Sequence, residues 1–149
     1  MDSLHLSIFY NLVNFMWLHS WMQRHHIWWI KFDTNTIVMG DWNCVAGDES
    51  HRNIVGPHGL GRKNHRGQML INFCERNGLI VTNTWFRKPK RRLYTWKAPG
   101  DRSRHQLDYI LVKHRFRNSV KNVQTMPGAD IDSDHNLLLP RSAPDGRKL

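Results

Sequence analysis

Thr36-Ile37-Val38-Met39-Gly40-Asp41-Trp42-Asn43 is the stretch whose reading decides the fold. Three apolar residues run into Gly40, and two short polar side chains follow. The pattern predicts a buried strand that delivers Asp41 and Asn43 to its C-terminal end. Successive side chains on a strand alternate faces, so Asp41 and Asn43 are expected on the same side. A carboxylate beside a carboxamide can accept a proton, hold a cation, or hydrogen-bond a water or a phosphate oxygen. Gly, Asp and Asn also form ordinary turns, so this stretch alone leaves a turn open.

Two later stretches bear on that choice. Gln106-Leu107-Asp108-Tyr109-Ile110-Leu111-Val112 reads as a buried strand with one carboxylate inside it, and Ser133-Asp134-His135 follows. A carboxylate among apolar strand residues must be paired or hydrogen-bonded, in a site or in a structural ion pair. The order Gly-Asp-x-Asn, Leu-Asp-Tyr-Ile, Ser-Asp-His resembles the endonuclease/exonuclease/phosphatase family, which includes apurinic-type endonucleases and the endonuclease domains of LINE-type retrotransposons. Val38 to Trp42, Arg91-Arg92-Leu93-Tyr94-Thr95-Trp96 and Pro127-Gly128-Ala129-Asp130 are similar, more narrowly, to the retrotransposon-derived craniofacial development protein 2-like family. The resemblance runs from about Ile37 to Leu138.

The resemblance implies an α+β fold, an α/β layered sandwich in which two sheets pack face to face with helices outside. This chain would supply its C-terminal half, truncated. It also implies roles. Asp41 would orient or deprotonate a water, and Asn43 would hold that water or donate to the phosphate. Asp134 would belong to a Mg²⁺ (or Mn²⁺) site. His135 would donate to the phosphate, with Asp108 fixing its tautomer. The family's N-terminal half carries an Asn, a metal-binding Glu and a Tyr. The only glutamates here are Glu49, in the loop after the first motif, and Glu75, in a packing helix. The expectation is a partial, metal-dependent endonuclease domain that acts weakly or not at all on DNA. The alternative is a non-catalytic basic remnant that binds nucleic acid or protein.

Composition fits both. The 149 residues suffice for one domain with a modest core, and the formal charge is +10. That balance favours polyanionic partners, nucleic acid first and an acidic membrane surface second. Arg87, Lys88, Lys90, Arg91, Arg92, Arg102 and Arg104 are candidates for phosphate contact, or form a solvated basic loop or nuclear-import patch. Trp85, Tyr94 and Trp96 could stack on a base or simply pack in the core. Cys44 and Cys74 match no zinc module and no disulfide framework, which suits a reducing compartment, nucleus or cytosol.

Along the chain, residues 1–32 form an apolar, Trp-rich segment. Ile8, Leu12, Phe15 and Met16 recur at helical spacing and predict an amphipathic helix. Polar residues such as His5, Asn11, Asn14 and Ser20 break the run too often for a membrane span. A partial domain is expected over 33–139. Within it fall a polar loop from Ala46 to Lys63, a helix from Asn64 to Asn77 stopped by Gly78, and strands at 79–84, 92–96, 106–113, 120–126 and 136–139. Pro99-Gly100-Asp101 marks a turn, and His114 to Ser119 a short helix. Pro140 is expected to end the last strand and open a disordered tail, 140–149.

Overall fold

Strand β2, Asn35–Asp41, lies inside a four-stranded antiparallel sheet. The computed structural model describes residues 27–32, 35–128 and 133–142. Strand β1, Ile27–Phe32, pairs with β2 on one side, from Ile27 opposite Gly40 to Phe32 opposite Asn35. On its other side β2 meets β6, Asp108–Lys113, and the register places Asp41 directly opposite Asp108. Strand β3, Leu79–Val81, completes the order β1-β2-β6-β3.

Strand alternation then sorts the apolar residues into two cores. Val38, Tyr109, Leu111, Leu79 and Val81 pack with helix α1, His65–Asn77, through Leu70, Ile71 and Cys74. The loop residues Cys44, Ala46, Ile54 and Val55 close that core. Ile110, Val112 and Ile80 face the other way, with Ile37 and Met39 packed against them. They meet a two-stranded ribbon of β7, Val120–Met126, and β8, Leu137–Ser142, through Val120, Val123 and Leu138. Helix, sheet and ribbon form three layers, an α+β arrangement. Each fully buried Leu or Ile in these cores contributes roughly 1.5–3 kcal/mol by leaving water. A small hairpin, β4 (Trp96–Lys97) with β5 (Arg104–His105), turns through Pro99–Asp101, where Gly100 has φ +71°.

Helix α1 begins and ends where its sequence signals lie. The Asn64 side chain accepts the Gly67 N–H at 2.8 Å, and Gly78 ends the helix in the left-handed conformation. The same Asn64 oxygen also accepts the Val45 N–H at 3.2 Å, which ties the loop after β2 to the helix start.

Several expected elements differ. Ile27–Phe32 is a strand rather than part of a helix, because the run Ile-Trp-Trp-Ile-Lys-Phe is aromatic and β-branched and finds β2 as a neighbour. The helix expected further upstream lies outside the described residues. The strand expected over 79–84 stops at Val81 and becomes a 3₁₀ turn, Thr82–Trp85. There the side chains replace the ladder. Thr82 Oγ1 donates to Ile110 O, Asn83 Oδ1 accepts from Ile110 N, and Asn83 Nδ2 donates to Asp108 O. The expected strand at 92–96 is a 3₁₀ turn, Lys90–Arg92, followed by irregular chain up to β4. The last strand runs through Pro140 to Ser142 instead of ending there. β8 pairs only with β7 among the described residues, so the missing proline N–H costs no ladder bond on its open side. Of the expected tail, residues 143–149 lie outside the described residues.

Candidate active site

Asp41 ends β2 and Asp108 begins β6, and both point to the ribbon face of the sheet. Like charges directly opposite each other on neighbouring strands repel. His135 lies against both. Its Nδ1 is 2.9 Å from Asp108 Oδ2, and its Nε2 is 3.9 Å from Asp41 Oδ2. Nε2 also stands 4.0 Å from Asp134 Oδ1. With Nδ1–H donating to Asp108, the ring is held by one nitrogen and presents the other to Asp41 and Asp134.

The chain that carries His135 is itself fixed. Trp96 and His135 form an isolated antiparallel bridge, with Lys97 N donating to Asp134 O at 3.1 Å and Asn136 N donating to Thr95 O at 2.7 Å. Thr95 is fully buried, and its hydroxyl oxygen accepts the N–H groups of Leu107 and Asp108 at 2.9 and 3.0 Å. Asn83, also buried, holds the carbonyl of Asp108. Sequence reasoning missed the roles of Thr95 and Asn83. A polar residue that saturates a neighbour's backbone leaves no periodic signal, and only the cost of burying an unpaired Thr or Asn hints at it.

Burial pushes the Asp108 carboxyl up, and the charge of Asp41 adds to this; the Thr95 hydroxyl and the His135 ring pull it back in part. The raised value means the folded protein holds this proton more tightly than the unfolded chain does. That stability is present below the ordinary carboxylate range and is lost as pH rises through the folded value. Asp108→Asn is therefore expected to melt at a higher temperature than the parent at neutral pH. The gap should close as pH falls from about 7 to about 4. Thermal melts across that range check this, and a gap that widens with acid would contradict it.

The expected site residues fall into two groups. Asp41, Asp108, Asp134 and His135 converge. Asn43 is exposed just beyond β2 with φ +47°, so strand alternation does not reach it and it does not share Asp41's direction by that rule. Its backbone N–H donates to Asp41 Oδ1 at 2.7 Å, and its side chain makes no hydrogen bond among the described residues. Asn43 thus orients Asp41 through the main chain.

The basic candidates also divide. Arg87, Lys90 and Arg91 are exposed, and Lys88 is half-buried. Arg92 is committed to the fold, donating to Thr125 O at 3.3 Å. Arg104 is held by Asp101 through two bonds, 2.7 and 2.6 Å, and lies over the Tyr94 ring. That pairing cancels much of the charge it would bring to a phosphate. Trp96 is half-buried beside the cluster. Its indole N–H donates to Asp134 Oδ2 at 2.7 Å.

The donor set suits a divalent cation in part. One ligand atom each from Asp41, Asp108 and His135 lies within 4.8 Å of the others. Carboxylate oxygens fit Mg²⁺ or Mn²⁺, and an imidazole nitrogen suits Mn²⁺ better than Mg²⁺. Asp108 is already engaged by the His135 ring; Asp134 lies beside that ring, its Oδ1 4.0 Å from Nε2, but outside this three-residue group. No glutamate joins the cluster among the described residues; Glu75 pairs with Arg52 instead.

The sequence model of the Endonuclease/Exonuclease/phosphatase family matches residues 7–135, most of the chain. The chain belongs to the endonuclease/exonuclease/phosphatase family. The match begins well before Ile37, where the motif resemblance starts, so the family pattern extends into the segment upstream of β2. Craniofacial development protein 2 of Bos taurus is 48% identical over 104 residues, and that of Tragulus javanicus 47% over 104. The matched part is 70% of this chain and 18% of each relative, so the chain spans less than a fifth of the length of the curated relatives it matches. No solved structure matches the chain significantly. Among the described residues no helix is long and apolar enough to cross a membrane.

Proposed function

We propose that the chain carries the phosphodiester-cleaving part of a retrotransposon-derived DNA endonuclease, dependent on a divalent cation and weak by itself. The observation that supports this best is the alignment of His135 between Asp108 and Asp41. A histidine fixed at one nitrogen and aimed at a carboxylate with the other is a built acid–base pair. In this reading Asp41 takes the proton of the attacking water, and the Asn43 backbone N–H holds Asp41 in place. His135 Nε2–H, when present, donates to a phosphate oxygen, and Asp108 stabilises the charged ring. Asp41, with Asp134 beside His135, would help hold a divalent cation, whose chemistry there would be charge stabilisation at the phosphoryl oxygens. The expected weakness rests on the cluster's composition: among the described residues no glutamate and few carboxylates stand where they could hold the ion.

Nicking of supercoiled plasmid, with Mg²⁺, with Mn²⁺ and with EDTA, tests the proposal. Cation-dependent nicking supports it. Equal nicking in EDTA, or none with either metal at enzyme in excess, would sink it.

One observation favours a second reading, a nuclear or cytoplasmic basic module that binds nucleic acid without cutting it. Arg87, Lys90 and Arg91 are exposed together on one loop and turn, in a chain of formal charge +10. Binding to duplex DNA is then expected to weaken steeply with salt, and each phosphate-contacting residue removed should lower the log–log salt slope by about 1. A filter-binding series on the parent and Lys90→Ala/Arg91→Ala measures it. An affinity that stays flat with salt would count against any phosphate-binding role.

A further inference from the structure

Asp134 is the most exposed member of the cluster, with 63% of its side chain open to solvent. An exposed Asp rotates freely, and both its oxygens are equivalent until something distinguishes them. Here something does. The Trp96 indole N–H donates to Oδ2 at 2.7 Å, a charge-assisted bond, and leaves Oδ1 facing His135 Nε2 at 4.0 Å.

Trp96 is itself held on two sides. It is the cross-strand partner of His105 in the β4–β5 hairpin, and the two rings lie 5.9 Å apart, tilted by 33°. Its backbone bridges to His135. The indole therefore reaches Asp134 from a strand that already fixes the next residue of the same loop.

We propose that Trp96 is a positioning residue. Through its N–H it selects which oxygen of Asp134 enters the cluster, and so sets the carboxylate that a divalent cation would use. This deepens the phosphodiesterase reading of the same site and rests on it for the cation's role, but not for the hydrogen bond itself. A tryptophan that only packed there would need its ring and not its nitrogen.

Trp96→Phe separates the two, because it keeps an aromatic ring and removes the donor. Residues that orient a metal ligand typically cost about 10–100-fold in metal affinity when replaced. Titration with Mn²⁺ is expected to show a loss of at least 10-fold in Trp96→Phe, with the melting temperature little changed. Trp42→Phe, outside the cluster, should leave Mn²⁺ affinity at the parent value. An unchanged affinity in Trp96→Phe would overturn the proposal.

A second measurement stands apart from metal and activity. In a ¹⁵N-labelled chain, the Trp96 indole N–H resonance should shift strongly and exchange faster in Asp134→Ala. If the parent binds no Mn²⁺ and nicks nothing, the phosphodiesterase reading fails, and this resonance alone decides whether Trp96 holds Asp134. An indole signal indifferent to Asp134→Ala refutes the clamp.

Discussion

Replacing His135 by Ala is expected to lower the cation-dependent nicking rate by roughly 10²–10⁴-fold, the range for loss of a positioned acid–base group. The ring contacts the Asp108 carboxylate and faces both Asp41 and Asp134. Asp108 is placed to act through that ring. Its loss should therefore not add to the loss of His135. Single-turnover nicking by Asp108→Asn, His135→Ala and the double variant tests this. The double variant is expected to match His135→Ala within about twofold, the usual error of such cycles. Multiplying losses would mean that Asp108 acts independently, and that the 2.9 Å contact is not the working one.

Gly67→Ala is expected to destabilise the fold by on the order of 3 kcal/mol, at the upper end for overpacking. A Cβ at Gly67 would stand 1.8 Å from the Val45 carbonyl oxygen and 2.7 Å from its carbon. Both are backbone atoms, and neither can swing aside as a side-chain tip would. The neighbourhood is also tied down. Asn64 N donates to Val45 O, Asn64 Oδ1 accepts from Val45 N, and Ala46 N donates to the buried Tyr109 hydroxyl at 2.9 Å. To admit the methyl, the first turn of α1 must lift off the segment that follows β2. For a chain of this size the expected fall in melting temperature is about 6–12 °C. Arg66→Ala, exposed on the same turn, serves as the control and should change little. A Gly67→Ala chain within about 1 kcal/mol of the parent would show that the loop yields easily.

How much of this was legible beforehand depends on the kind of signal. Helix α1 was readable because Asn64, the spacing of Leu70, Ile71 and Cys74, and Gly78 all act locally. Strand β6 was readable as a buried apolar run, and the Asp108–His135 pairing followed from resemblance rather than from pattern. The irregular segments were not readable. Thr82 and Thr95 have strand-compatible side chains, yet Thr82 and Asn83 bond the β6 backbone through their side chains where β3 has ended, and the Thr95 hydroxyl accepts the Leu107 N–H. For Asn43 alternation gives no direction, because it stops where the strand stops, and β2 stops at Asp41. Arg92 and Arg104 looked like free cations because a sequence does not reveal that Thr125 O and Asp101 lie within reach.

The turn after β3 has a consequence for how this protein meets other chains. A sheet margin ordinarily advertises unpaired main-chain groups, and those groups recruit foreign strands. Next to Ile110 the margin is silent, because Asn83 and Thr82 have already engaged both main-chain groups of that residue with side chains. An incoming strand at that place would have to displace two buried polar side chains before it gained its first bond. The sheet is consequently closed to an added strand at the turn after β3, and the closure is made by side chains rather than by a further strand.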